Sequence, residues 1–109
     1  MTNFERAARL LAERGDRSLM FFDVVTKIEE IRFNATHLDL IAAMGRLGWY
    51  FWATGVSVVF DGPRRETFGA MCDWNNATSI GEAIAKAAVA VLEGEGRRES
   101  ELRRGRRNG

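Results

Sequence analysis

Apolar positions recur at helical spacing near both ends of the chain and crowd into strand-like runs in its middle. Phe4, Ala7, Ala8 and Leu11 follow a capping box, Thr2-x-x-Glu5, and Gly15 suits a helix stop, so residues 3–14 are predicted to be helical. Residues 18–33 are ambiguous. Their Val, Ile, Phe and Thr content suits a strand. Phe21, Val25 and Ile28 fit one face of a helix, and the length of the stretch favours the helix. A second box, Thr36-x-x-Asp39, opens a short helix to Met44 with Leu38 and Ile41 inward, joined by Leu40 and Met44. Gly45 and Gly48 end it.

The run from Trp49 to Phe60 is the strongest strand signal in the chain, and Gly55 inside it marks a bulge or a tight hairpin. Asp61-Gly62-Pro63-Arg64-Arg65 reads as a turn. Glu66 to Trp74 alternates, placing Phe68, Ala70, Cys72 and Trp74 on one face. A third box, Ser79-x-x-Glu82, opens a helix over Ile80–Glu93 with Ile80, Ala83, Ile84, Ala87 and Val91 on one stripe, and Gly94 closes it.

The predicted fold is therefore α+β. Its order is α-α-α-β-β-β-α, with a three-stranded antiparallel sheet between Trp49 and Trp74 and the last helix across it. In Trp49–Trp52 both faces of the strand are bulky. A sheet with one wet face alternates apolar and polar. Helices on both faces, or one helix layer plus a partner, are expected.

The 109 residues are 46% hydrophobic and 28% charged, enough for one domain with its own core. That domain is assigned to residues 1–95. Residues 96–109 have almost no apolar side chains and are expected to form a disordered, arginine-rich tail. The tail holds six arginines and two glutamates, net +4, while residues 1–95 hold 10 basic and 13 acidic side chains, net −3. The folded part is thus mildly acidic.

One cysteine and one histidine exclude a disulfide framework and a four-ligand zinc site within one chain. No apolar run approaches the ~20 residues of a membrane span, and the first residues do not read as a signal peptide. A reducing, cytoplasmic setting without membrane contact is the expectation. His37 with Asp39 falls in a helix first turn, where an acid serves the cap and the dipole. Cys72 falls on the apolar face of a strand, as a buried inert thiol does. No glycine pattern forms a phosphate loop. No catalytic residue, metal site or cofactor is assigned, and a non-enzyme is expected.

Three tryptophans are generous for this length. Tyr50 and Trp52, with Arg64 and Arg65 on the adjacent turn, are the candidate binding residues. Such a surface suits a protein partner or a stacked nucleotide. A second copy of the chain is an admissible partner too. The alternative nucleic-acid surface comprises Lys86 and the tail residues Arg97, Arg98, Arg103, Arg104, Arg106 and Arg107.

The segments Ala35-Thr36-His37-Leu38-Asp39-Leu40-Ile41-Ala42-Ala43-Met44-Gly45-Arg46-Leu47-Gly48-Trp49 and Ala77-Thr78-Ser79-Ile80-Gly81-Glu82-Ala83-Ile84-Ala85-Lys86-Ala87-Ala88 resemble small phage and prophage αβα-sandwich proteins. The likeness covers about residues 35–94. It implies an αβα-sandwich-like fold and a phage origin, and it carries over no catalytic residue. The function expected from it is that of an accessory binding protein in the host cytoplasm. It would occupy a host protein surface, as anti-defence inhibitors do, or sequester a nucleotide signal. The α-β-β-β-α order over residues 36–93 also resembles the double-stranded RNA-binding domain. That family's last helix opens with Ser and consecutive lysines, whereas this one opens Ser79-Ile80-Gly81-Glu82 with Lys86 as its only lysine.

Overall fold

A computed structural model describes residues 1–62 and 70–107, with the side chains of 70, 71, 74 and 95–107 left undescribed. The elements are α1 (Asn3–Glu13), β1 (Met20–Asp23), β2 (Ile28–Ile31), α2 (His37–Arg46), β3 (Tyr50–Ala53), β4 (Ser57–Asp61), β5 (Ala70–Asp73), a short 3-10 turn (Trp74–Asn76) and α3 (Ile80–Arg107). The strands form two antiparallel sheets, β1-β2 and β3-β4-β5.

The helices start where the sequence places their caps. The Thr2 hydroxyl accepts from the Glu5 N–H at 3.1 Å, and the Asp39 carboxylate accepts from the Thr36 N–H at 2.9 Å. Two helices end at left-handed glycines. After α1, Gly15 (φ 93°) lets its N–H reach the Ala12 carbonyl and that of Asp16 reach Leu11. After α2, Gly48 (φ 94°) does the same, with Trp49 bonded to Met44. Gly45, one turn earlier, has open space where a Cβ would sit. Opposite effects are therefore expected at two nearby glycines. Gly48→Ala should lower stability by roughly 1 kcal/mol or more, and Gly45→Ala should raise it by about 0.5–1 kcal/mol. Urea unfolding of both variants checks the signs.

The core lies between α3 and its neighbours. Ala7, Ala8 and Leu11 of α1, Leu40, Ala43 and Met44 of α2, and Val58, Phe60 and Cys72 of the sheet all meet Ala83, Ile84, Ala87, Ala88, Val91 and Leu92 of α3 in one cluster. Small side chains on α3 permit this close approach from several sides. Leu38 and Ile80, expected inward, are exposed instead. Each sits in the first turn of its helix, beyond the end of the core, and the buried stripes begin at Leu40 and Ala83.

Arg46, in the last turn of α2, donates from Nε to the Asp16 carboxylate at 2.9 Å and from Nη2 to the Ser18 hydroxyl at 2.7 Å. The Arg46 hydrogen bond, aided by Ser18, holds the Asp16 carboxyl at about 2 despite partial burial, below the ordinary 3.8. A depressed carboxyl stabilises the fold fully above its unfolded value, and that stabilisation fades as the pH falls through the folded value. Wild type should lose stability between about pH 4 and pH 2 more steeply than Asp16→Asn. Thermal melts across that range test this.

Three expectations are corrected. First, residues 18–33 form a hairpin, so the order is α-β-β-α-β-β-β-α. The Asp23 carboxylate accepts from the N–H groups of Val25 (2.8 Å) and Thr26 (3.3 Å), and Lys27 closes the turn at φ 59°. The window that looked long enough for a helix holds two strands and their turn.

Second, the three-stranded sheet forms as expected and carries α3 on one face, but Tyr50 and Trp52 on the other are exposed. That face is not closed into an αβα sandwich at these residues.

Third, α3 does not end at Glu93 before Gly94, as the sequence predicts, and its backbone stays helical to Arg107. Gly94 lacks the left-handed conformation that Gly15 and Gly48 adopt. An interior glycine costs a helix only about 1 kcal/mol, and basic residues suit a helix C-terminus.

Candidate functional site

Strand β3 divides its side chains between two environments. Phe51 faces the core, its ring tilted 55° against that of Phe60 with centroids 5.4 Å apart, next to buried Trp49. Tyr50 and Trp52 point the opposite way and remain 67% and 46% exposed. Trp52 stands across from Val59, and Tyr50 across from Asp61. The Trp52 Nε1–H donates to the Asp61 carboxylate at 2.6 Å, which fixes the indole over the outer face of the sheet. The hairpin linking β3 to β4 is the tight turn that Gly55 suggests. Thr54 N–H bonds the Ser57 carbonyl, and the Thr54 hydroxyl accepts from the N–H groups of Val56 and Ser57. Val56 is exposed at its tip.

The two expected aromatic residues are thus brought together, both exposed, on the outer side of β3, beside buried Val59. Arg64 and Arg65 lie outside the described residues. Lys86 belongs to α3, which covers the other face of the sheet, where its ammonium bonds the Asn76 carbonyl and stands 3.9 Å from Glu82. It does not join Tyr50 and Trp52. Arg97, Arg98, Arg103, Arg104, Arg106 and Arg107 lie along the distal part of α3, with undescribed side chains.

A second aromatic surface escapes the sequence reading. On the β1–β2 hairpin Phe21, Phe22, Val24, Val25 and Ile28 are all exposed, and Phe33 just beyond it is fully exposed. Phe21, Ile31 and Phe33, with Glu30, Arg32 and Asn34, line a mostly apolar groove of about 330 Å³. The signal was the Phe21-Phe22 pair. Adjacent residues of a strand point to opposite faces, so a two-stranded hairpin covered on one side cannot bury both.

A more polar cleft of about 420 Å³ lies where α2 and α3 begin, lined by Phe4, Ala35, Thr36, His37, Thr78, Ser79, Gly81 and Glu82. His37 sits beside Gly81, with its Nδ1 3.7 Å from where a Cβ would stand. Asp39 is committed to the cap. The Thr36 N–H bond, helped by Arg32, keeps its carboxyl below the ordinary range. That leaves it a poor proton acceptor for His37 chemistry. Cys72 is buried, and burial pushes its thiol up, away from nucleophilic reactivity. Among the described residues no cluster of His, Cys, Asp or Glu is placed to hold a metal ion. Among them, too, no helix is long and apolar enough to cross a membrane. Comparisons with protein-family models, curated proteins and solved structures return no match.

Proposed function

We propose that the chain is a phage- or prophage-encoded accessory protein without catalytic activity, acting by occupying the surface of a host protein, in the manner of a counter-defence inhibitor. The observation that carries this reading is the outer side of the edge strand β3. Tyr50 and Trp52 are exposed there, and Asp61 holds the indole in place. Pre-positioned aromatic side chains are the usual anchors of protein interfaces, because little rotamer freedom remains to be lost on binding. Sequestration of a nucleotide, with its base stacked on Trp52, would use the same face. The test is retention of a host protein, or titration with a nucleotide panel, on wild type and Trp52→Ala. Loss of binding in the variant is expected. Absence of both a retained protein and a bound nucleotide on wild type overturns the proposal.

The second reading is a nucleic-acid-binding module. One observation favours it: the backbone stays helical to Arg107, so six arginines of residues 97–107 ride on one rod.

A further inference from the structure

The aromatic pair on the outer side of β3 shares its place with negative charge. Asp61 stands across from Tyr50 and accepts the Trp52 indole N–H at 2.6 Å, so one carboxylate lies beside both aromatic residues. Asp61 is exposed, and its second oxygen takes no hydrogen bond from a described residue. A carboxylate offers about four acceptor sites, so most of its capacity is open. Asp73 is exposed as well, and its pairing with Ser57 puts it on the same side of the sheet as Asp61. Strands β3, β4 and β5 contain no lysine or arginine to answer these acids. The surplus extends beyond the sheet, because residues 1–95 carry a net charge of −3.

The combination discriminates between occupants. An aromatic anchor by itself accepts any apolar group. Beside a carboxylate it disfavours apolar groups, which would strip water from the charge, and it repels phosphates. Cations gain from both features, since the ring faces are negative and the carboxylate accepts. Among cationic side chains arginine fits best. Its planar guanidinium stacks on an aromatic ring while its edge donates to a carboxylate.

We propose that Tyr50, Trp52 and Asp61 form a receptor for an arginine side chain on a basic segment of a partner protein. The guanidinium lies against the aromatic pair and donates to the Asp61 oxygen that the indole leaves open. The inference rests on reading the outer side of β3 as the binding surface, and it gives the partner its chemistry: a basic protein segment rather than a nucleotide.

The experiment selects displayed random heptapeptides on the full chain and measures the enriched peptide by fluorescence polarisation. Enriched peptides are expected to carry arginine. Replacing that arginine by citrulline, which keeps the shape and removes the charge, should weaken binding roughly tenfold or more. Asp61→Asn should do the same, because an amide oxygen still accepts the indole N–H and only the charge is lost. Trp52→Ala should abolish binding, and in NMR titration the Trp52 indole N–H signal should move. Indifference to citrulline and to Asp61→Asn, or enrichment without arginine, overturns the arginine receptor. The β3 surface itself survives that result if Trp52→Ala still abolishes binding, and falls with it if that variant binds like wild type. No enrichment at all, or ATP binding that Trp52→Ala abolishes, also refutes the proposal. So does self-association in sedimentation velocity that both Asp61→Asn and deletion of residues 96–109 remove, which would assign the place to the distal arginines of a second copy.

Discussion

Ala87→Asp unfolds the domain. Ala87 is 1% exposed and lies on α3 among Ala83, Ile84, Ala88 and Val91, where the helix is packed against neighbours on several sides. The core around it consists of apolar side chains, so the new carboxylate would be buried without a cation or a donor. An unpaired buried charge costs several kcal/mol, comparable with the ~5–15 kcal/mol that holds a whole domain together. The close approach that alanine permits would disappear as well, since the larger side chain cannot fit without parting the elements. The control is Ala90→Asp, three residues along the same helix on its exposed side. It should shift the melting temperature by a few degrees at most. Loss of the cooperative transition in the first variant and its survival in the second is the expected result. If Ala87→Asp melts within a few degrees of wild type, the face of α3 assigned to the core is wrong.

That face was legible because alanines at helical spacing have one physical use, close packing. The same holds for other elements whose signals are local. Thr2 and Ser79 precede helices because their hydroxyls accept from an otherwise orphaned N–H, and Thr36 because the Asp39 carboxylate reaches back to its own N–H. Gly48 ends α2 because the Schellman turn requires φ above zero. Trp49–Phe60 reads as strand because bulky and β-branched side chains crowd a helix and fit a pleat.

The hairpin was hidden by a coincidence of spacing. Phe21, Val25 and Ile28 lie three and four residues apart, which mimics a helix face, and the turn between them rests on Asp23 side-chain bonds that leave no periodic trace. Its consequence for the site was hidden too. Read as helix, Phe21 is core; as strand, it lines an open groove. The end of α3 was misplaced for a related reason. Glycine identity alone does not stop a helix, and the conformation that does is set by the chain that follows. Tyr50 and Trp52 lay between these extremes. The sequence showed that both faces of β3 are bulky, and only the packed structure shows which face α3 covers.

Trp52→Ala and deletion of residues 96–109 separate the two readings of function. Deletion should leave the melting temperature nearly unchanged. The core packing of α3 among the described residues ends at Leu92, with the Arg14 side chain donating to the Leu92 carbonyl at 2.8 Å and Arg6 paired with Glu93. All of these lie before residue 96. Beyond Gly94 the sequence offers only Leu102 as a sizeable apolar side chain. Binding should respond in the opposite way. If the sheet face holds the partner, Trp52→Ala removes an anchor. Such anchors cost about 2 kcal/mol or more on truncation, roughly thirtyfold in affinity. Deletion should then change affinity little. If the chain binds a nucleic acid through the distal part of α3, deletion removes six arginines. Affinity then collapses and the salt dependence flattens, by about 0.9 in log–log slope for each duplex phosphate that is no longer neutralised. Trp52→Ala would matter less. The first outcome is expected. Residues 1–95 carry a net charge of −3, so the body repels a phosphate backbone that the distal arginines would attract. Affinity and salt slope measured on wild type and both variants decide the matter: a large loss on deletion, with Trp52→Ala unchanged, rejects the sheet face as the binding surface.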